Sequence, residues 1–248
     1  MWHNYPMNDV VRWPIDQKII GVLGVAPLAT ADFCFRLANR PVRKDWEHPR
    51  VLVDSNPKIP SRGRFLELNE TDPVPFIISG IEKLAELGAS IIAVPCNTAH
   101  ILYSRYTANA AVSIPNMINV TTISTQNILA NQHNKIVLVL ASRQVILHQL
   151  YKEPLENMGI TYLPCNNQEL ISNAIEAVKQ NLDIQYYRRL IYEYIDSLCD
   201  NIGAILLGCT ELSVLFGNKL SMFDIPIIDS NQALADHCYA LAFNSEYA

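Results

Sequence analysis

Two segments of the chain follow the same plan, and this duplication limits the fold more than any other feature of the sequence. Each begins with a short run of apolar residues, Lys18-Ile-Ile-Gly-Val-Leu in the first half and Lys135-Ile-Val-Leu-Val-Leu in the second. Cys96 lies 78 positions after Lys18, and Cys209 lies 74 positions after Lys135. Such runs are typical of strands that are buried on both faces of a parallel sheet. The repeat therefore predicts two α/β units of similar size.

A helix followed by a buried strand precedes each of these cysteines. Residues 73–87 predict a helix and residues 89–95 predict the strand that leads to Cys96. In the second half, a helix over about residues 186–200 precedes a strand over residues 203–208. The apolar face of the first helix is expected to consist of Phe76, Ile77, Ile81, Leu84 and Leu87. Strands and helices that alternate in this way are typical of a parallel α/β fold.

Each cysteine comes at the carboxyl end of a late strand, where open parallel sheets bind their ligands. Two such domains facing each other would share one cleft with a cysteine on each wall. We therefore predict an α/β fold of two pseudo-symmetric domains, each a mostly parallel sheet flanked by helices, with the functional site in the cleft between them. The first domain is expected over residues 18–117 plus 226–248 and the second over residues 118–225. Residues 1–17 are expected to form an N-terminal extension.

The overall charge narrows the choice of partner. The 248 residues carry 19 basic and 24 acidic side chains, a formal net charge of -5. This sign disfavours a dedicated binder of nucleic acid or of anionic membranes and favours a small-molecule ligand. The first residues lack the apolar stretch of a signal peptide, and no run approaches the roughly 18 apolar residues of a membrane span. We therefore expect a cytoplasmic protein with reduced thiols that binds neither nucleic acid nor membrane.

The residues after the two cysteines indicate thiol chemistry. Asn97-Thr98-Ala99-His100 follows Cys96, Thr210-Glu211-Leu212 follows Cys209, and both sequences are suited to open a helix. A thiol at a helix N-terminus has a lowered pKa, and the free backbone amides there favour an anion. We therefore expect the cleft to hold a carboxylate between two activated thiols.

The remaining cysteines and His100 have simpler interpretations. An isolated cysteine usually behaves as a small apolar side chain, so Cys34, Cys165, Cys199 and Cys238 are expected to be packing residues. His100 lies four positions after Cys96, but no second pair of ligands accompanies it. We therefore predict no metal site and a hydrogen-bonded His100 that either is structural or supports the residues of the site from behind.

Several motifs resemble those of one protein family, the aspartate/glutamate racemases. The segments Ile92-Ala-Val-Pro-Cys96-Asn97-Thr98-Ala99-His100 and Leu207-Gly208-Cys209-Thr210-Glu211-Leu212 are similar to its two signature segments. Residues 27–33, 59–62 and 225–229 also match, so the resemblance spans residues 18–235. Thr-Glu after the second cysteine resembles the aspartate racemases, since glutamate racemases of cell-wall synthesis have Thr-His there.

The resemblance implies a racemase without cofactor or metal. It acts on an acidic amino acid, aspartate or as a second candidate glutamate. One thiolate removes the α-proton, and a thiol on the opposite face returns a proton. By the motif, Cys209 acts on the L enantiomer and Cys96 on the D enantiomer. The substrate-binding residues that it implies are Ala26, Arg62, Asn97, Thr98, Ser142, Thr210 and Glu211, with Arg62 as the partner of a side-chain carboxylate. It also implies a homodimer.

Three segments depart from the family pattern. The glycine-rich turn after the first strand is one residue shorter and reads Gly24-Val25-Ala26-Pro27. Ala141-Ser142-Arg143-Gln144-Val145 stands where relatives commonly have Ala-Thr-x-Gly-Thr, and Gln168-Glu169 aligns with a Gln-Lys pair, which replaces a cation by an anion. These changes leave open a racemase or decarboxylase of another carboxylate substrate, of the hydantoin or malonate type, and a non-catalytic amino-acid-binding homologue.

Basic residues are concentrated in one part of the chain. Eight of the 19 Lys and Arg residues, Arg62 among them, fall within residues 36–64. A cationic segment beside the cleft would attract a dianionic substrate. The alternative interpretation is a solvated surface loop.

Overall fold

Two separate parallel sheets form the centre of the molecule. The structure is a computed structural model that describes residues 17–198, 201–217 and 225–243. The first sheet consists of β1 (Ile19–Gly24), β2 (Val51–Ser55) and β3 (Ala89–Ala93) in the order β2-β1-β3. The second consists of β4 (Ile136–Ala141), β5 (Thr161–Pro164), β6 (Ala204–Gly208) and β7 (Ile227–Asp229) in the order β5-β4-β6-β7. All of these strand pairs are parallel, which together with the flanking helices confirms the predicted fold class.

Helices flank both sheets and connect their parallel strands. The described α-helices are α1 (Pro27–Ala38), α2 (Arg62–Leu68), α3 (Val74–Glu86), α4 (Tyr103–Thr107), α5 (Met117–Ile128), α6 (Arg143–Leu147), α7 (Lys152–Glu156), α8 (Gln168–Gln180), α9 (Ile184–Asp196), α10 (Thr210–Phe216) and α11 (Ser230–Ala242). Short 3₁₀ helices occur at Asp45–Glu47 and Asn97–Leu102. Within the described parts of the chain, no helix is both long and apolar enough to cross a membrane. Residues 1–16 of the expected extension and Cys199 lie outside the described residues.

The central strands β1, β4 and β6 are buried on both faces because helices cover each sheet on both sides. Successive side chains of a strand point to opposite faces. In β4, Leu138 and Leu140 pack into one apolar cluster, and Val137 and Val139 pack into another on the opposite face. The register pairs Gly21 with Leu52 and Ile92 in the first sheet, and Val139 with Pro164 and Leu206 in the second. The continuous apolar runs of the sequence are therefore explained by burial on both faces.

The helix expected over residues 73–87 is α3, and its buried face is narrower than predicted. Ile77, Ile81 and Leu84 are buried against β1 and β3, as expected. Phe76 is 46% exposed and Leu87 is 65% exposed, so their assignment to the apolar face was wrong. A helix buries a stripe, and residues at its margins meet solvent.

The C-terminal segment that we assigned to the first domain divides between the two sheets. Strand β7 is hydrogen-bonded to β6 of the second sheet. Helix α11, which follows directly, packs Leu234, Ala235 and Cys238 against Val22 of β1. The chain therefore passes from one half of the molecule to the other at the junction of β7 and α11, while the domain limits themselves stay a prediction.

A buried ion-pair cluster joins the two halves at this junction. Arg36 of α1 lies between two carboxylates, with Nε 2.6 Å from Asp32 Oδ2 and Nη2 2.9 Å from Asp229 Oδ2. Asp229 also accepts hydrogen bonds from Ser213 Oγ at 2.6 Å and from the amide of Asn231 at 2.9 Å. Burial raises the pKa of Asp229, whereas the charge of Arg36 opposes this rise. Arg36 thus stabilises a carboxylate that would otherwise be costly to bury.

We expect Arg36→Met to lower the free energy of unfolding by about 3–5 kcal/mol, because it leaves a buried carboxylate without its cation. Without Arg36, the pKa of Asp229 rises further above its value in the unfolded chain. The native state then binds more protons than the unfolded state, so the variant loses stability as the pH rises through the range between the two pKa values. Urea unfolding at mildly acidic and mildly alkaline pH measures both effects.

Arg189→Met is the matched control for this experiment. Arg189 Nε lies 3.8 Å from Glu193 Oε1 in an exposed pair on α9. Loss of an exposed pair is expected to cost less than about 1 kcal/mol. Equal losses in the two variants would show that the cluster around Arg36 contributes no more than a surface ion pair.

Candidate active site

The two cysteines of the repeated pattern line the same cleft. Cys96 lies beyond the carboxyl end of β3 and precedes the 3₁₀ helix Asn97–Leu102, and Cys209 follows β6 directly and precedes α10. The cleft has a volume of about 430 Å³. Parallel strands of both sheets thus direct one thiol each into a common space, as the spacing of the sequence predicts.

Five of the seven residues expected to bind substrate line this cleft. They are Ala26, Arg62, Thr98, Ser142 and Glu211. The hydroxyls of Thr98 and Ser142 lie 3.0 Å apart and form a hydrogen bond between the two halves. The shortened turn brings Ala26 to the cleft, and its Gly24 packs closely on α1, since a Cβ there would lie 2.1 Å from Thr30 Oγ1.

Asn97 and Thr210 are buried behind the cleft and are not among its lining residues. The Asn97 side chain donates to Ser230 Oγ at 3.0 Å and accepts a hydrogen bond from the Tyr151 hydroxyl. Thr210 Oγ1 donates to Glu211 Oε2 at 3.3 Å. Both side chains therefore form hydrogen bonds within the protein. Binding of the substrate α-carboxylate by the backbone amides of Asn97 and Thr210 stays a prediction.

The pKa of Cys209 differs from the expectation. The thiol is 6% exposed, and burial raises its pKa well above the ordinary value. The carboxylate of Glu211 raises it further, both by its charge and by accepting a hydrogen bond from Sγ at 3.0 Å. The prediction of a lowered pKa at the start of the helix was therefore wrong for Cys209, which the structure keeps as a thiol.

His100 is a structural histidine, as predicted. It is buried, and its Nε2 donates to the carbonyl of Val94 at 3.1 Å. Burial lowers its pKa to about 4, so the ring is neutral. The ring stacks on Tyr103 with centroids 5.5 Å apart. These contacts fix the backbone two residues before Cys96.

Among the described residues, no group of three or more His, Cys, Asp and Glu side chains is placed to hold a metal ion.

Arg62, the first residue of α2, lines the cleft without a carboxylate partner in the described structure. Its Nη1 donates to the carbonyls of Ile59 at 3.4 Å and Pro60 at 3.2 Å. Its buried Nε has no hydrogen-bond partner among the described atoms. The guanidinium is therefore held in place by backbone and keeps hydrogen-bonding capacity for an anion.

The cationic segment around Arg62 does not present its eight charges to the cleft. Arg62 is the member of this segment that lines the cleft. Several of the other arginines are paired with carboxylates elsewhere: Arg36 with Asp32 and Asp229, Arg40 with Asp236, Arg43 with Glu47, and Arg64 with Glu70. Within this segment, only Arg62 is therefore placed to attract a dianionic substrate directly at the cleft.

The cleft also contains charged residues that the sequence analysis missed. They are Glu67 of α2, Arg143 of α6, and Glu176 and Lys179 of α8. Arg143 directly follows Ser142 at the carboxyl end of β4, a position from which the strand-end rule would have identified it. Glu169, which was expected to replace a cation, is not among the lining residues.

Comparison with known proteins gives consistent matches over most of the chain. A family model described as Asp/Glu/Hydantoin racemase matches residues 22–238. The chain is 27% identical over 226 residues to the broad specificity amino-acid racemase RacX of Bacillus subtilis (strain 168), covering 88% of this chain and 95% of that protein. Picrophilus torridus aspartate racemase has a similar structure, with a TM-score of 0.81 and 30% identity, covering 91% of this chain and 94% of the other. An aspartate racemase homologue from Pyrococcus horikoshii OT3 shares the fold, with a TM-score of 0.69 and 20% identity, over 91% of this chain and 99% of that one.

Glu211→Gln is expected to lower the pKa of the Cys209 thiol, because it removes the negative charge that disfavours the thiolate. The rate at which iodoacetamide alkylates Cys209 should then begin to rise at a lower pH than in the wild type. Mass spectrometry of the peptide that contains Cys209 measures this rate without interference from Cys96.

The control is Glu176→Gln, which removes a carboxylate of the same cleft other than the one that accepts the hydrogen bond of Cys209. Its alkylation profile should match that of the wild type. An unchanged profile in Glu211→Gln would contradict the electrostatic role of Glu211.

Proposed function

Since the chain belongs to the Asp/Glu/Hydantoin racemase family and is an amino-acid racemase, we propose that it interconverts the enantiomers of an acidic amino acid by proton transfer between Cys96 and Cys209. The observation that carries this proposal is the position of both thiols on one cleft, each from a different sheet. Aspartate is the first candidate substrate and glutamate the second.

The proposed reaction moves one proton off the α-carbon and another onto it. A thiolate forms an S–H bond as the Cα–H bond breaks, and the electron pair of that bond stays on the substrate as a carbanion. The thiol on the opposite face then gives its proton to Cα and becomes a thiolate. No atoms are lost, and the substrate leaves with inverted configuration, while the two sulfurs have exchanged protonation states. General acid–base transfer of this kind needs no cofactor.

Cys96 is proposed to act on the D enantiomer and Cys209 on the L enantiomer. The raised pKa of Cys209 favours its thiol form, which suits it to donate the proton when Cys96 removes one from the D enantiomer. In the opposite direction Cys209 must first lose its proton. Glu211 Oε2, 3.0 Å from the sulfur, is placed to accept it.

The polar groups around the thiols are proposed to hold the α-carboxylate. Charge from the carbanion spreads onto this carboxylate, so donors aimed at it lower the barrier. The hydroxyls of Thr98 and Ser142 lie on the cleft, and the backbone amides of Asn97 and Thr210 are at the starts of the two helices.

Arg62 is proposed to bind the side-chain carboxylate of the substrate. Its buried, unpaired Nε and its lack of a carboxylate partner among the described residues support this role. The aspartate racemase of Picrophilus torridus, at 30% identity, supports an acidic substrate. We further propose a cytoplasmic homodimer that works without metal, and size-exclusion chromatography with light scattering measures its oligomeric state.

Replacement of either Cys96 or Cys209 by serine is expected to slow racemisation at least about 100-fold, since general acid–base catalysis contributes factors of about 10² to 10⁴. L- and D-aspartate and glutamate are incubated with each protein in heavy water. Proton NMR follows the loss of the Cα–H signal, and chiral chromatography follows the appearance of the other enantiomer.

Cys34→Ser is the control, because Cys34 is a half-buried cysteine of α1 that does not line the cleft. It should racemise at the wild-type rate. Wild-type rates in both Cys96→Ser and Cys209→Ser would exclude the two-thiol mechanism. Release of carbon dioxide from malonates, racemisation of hydantoins alone, or tight amino-acid binding without Cα exchange would identify the alternative functions.

A further inference from the structure

We propose that Arg143 is a second binding residue for the side-chain carboxylate of the substrate, and that Glu67 occupies Arg143 until the substrate displaces it. The inference rests on the proposed function, because it concerns an acidic substrate in the same cleft. Arg143, Glu67 and Arg62 all line this cleft.

The ion pair between Arg143 and Glu67 connects the two halves of the molecule across the cleft. Arg143 Nη1 lies 3.8 Å from Glu67 Oε1, and Gln144 Nε2 lies 3.5 Å from Glu67 Oε2. Glu67 belongs to α2, which follows the first sheet's β2, and Arg143 and Gln144 belong to α6, which follows β4 of the second sheet. No other described ion pair joins two lining residues from opposite sides of the cleft.

This contact is weak by its geometry. Strong charge-assisted hydrogen bonds measure about 2.7–2.9 Å, well below the 3.8 Å found here. The side chains of Arg143 and Glu67 are 63% and 46% exposed, and exposed ion pairs contribute little to stability. Glu67 is therefore a partner that a better-placed carboxylate can replace at small cost.

A second cation of the cleft, besides Arg62, is available to the substrate only if it leaves its carboxylate partner. The lining includes three cations, Arg62, Arg143 and Lys179, and three carboxylates, Glu67, Glu176 and Glu211. An amino acid with two carboxylates and one ammonium group brings a net negative charge into this balanced site. Lys179 pairs with Glu176 one turn away on the same helix, 3.6 Å apart, so movement of the two halves does not separate them.

Arg143 is placed to complete a clamp with Arg62. The two arginines come from opposite sides of the cleft, and each guanidinium can donate two parallel hydrogen bonds to one carboxylate. A side-chain carboxylate between them would be bound from both halves, and Glu67 would be released towards solvent. Replacement of Glu67 by the substrate carboxylate would thus connect the two sides of the cleft through the substrate.

The test compares Arg143→Gln and Glu67→Gln in steady-state racemisation of aspartate. Arg143→Gln should raise KM at least about tenfold, which corresponds to about 1.4 kcal/mol, with a much smaller change in kcat. Glu67→Gln should lower KM several-fold, because it removes the competitor while keeping the shape of the side chain. A purely structural ion pair predicts the same effect from both variants.

The matched controls are Arg189→Gln and Glu193→Gln. This pair has the same 3.8 Å separation and similar exposure, 66% and 61%, but it lies on α9 away from the cleft. Both controls should keep the wild-type kcat and KM. Thermal unfolding checks that every variant is folded.

Calorimetric binding of succinate separates this inference from the proposed function. Succinate carries two carboxylates but has neither an α-amino group nor a stereocentre, so it cannot be racemised and reports binding alone. Weaker succinate binding to Arg143→Gln and tighter binding to Glu67→Gln would support the clamp. They would do so even if the wild type exchanged no acidic amino acid, because absence of exchange contradicts the proposed function and not the clamp. Unchanged binding and unchanged KM in Arg143→Gln, or parallel losses in both variants, would overturn the clamp.

Discussion

The buried polar contacts between the two halves determine whether this protein has a functional cleft at all. Each half supplies one thiol, so the distance between the sulfurs depends on how the halves are fixed. Asn97, directly after Cys96, is hydrogen-bonded to Tyr151 and Ser230. Ser213, in the helix that begins after Cys209, donates to Asp229, and Asp229 is paired with Arg36 of the first half. Both cysteine-bearing segments are therefore anchored to the same buried layer.

The two ion pairs that join the halves of the molecule differ in burial. Arg36 and Asp229 are buried and do not line the cleft, and separating such a pair leaves buried charges without partners. The pair of Glu67 and Arg143 lines the cleft and is exposed and long, so water replaces it readily. The contact between the halves is therefore stronger at the buried pair than at the pair that lines the cleft.

The sequence predicts the fold class and the position of the two thiols on one cleft, because both follow from local pattern. Continuous apolar runs mark the buried strands, and the strand-end rule places Cys96 and Cys209. The errors arise where a long-range contact decides the outcome. Asp229 and Asp236 lie far along the chain from Arg36 and Arg40, so a count of nearby basic residues overestimates the free charge. Burial of the thiol and the direction of the Glu211 side chain both raise the pKa of Cys209, and no spacing rule specifies either of them. The catalytic roles of the two thiols and the substrate-binding roles of the other residues remain predictions.

The contact between Cys209 and Glu211 has two opposite consequences for the proposed mechanism. A charged carboxylate 3.0 Å from the sulfur disfavours the thiolate, and burial disfavours any new charge. If the proton passes from Cys209 to Glu211, however, the total charge of the pair does not change, because a thiol and a carboxylate become a thiolate and a carboxylic acid. Burial opposes this transfer less than it opposes loss of the proton to solvent. Glu211, which together with burial disfavours the Cys209 thiolate, is therefore also the residue placed to receive the proton when Cys209 acts as the base in the proposed mechanism.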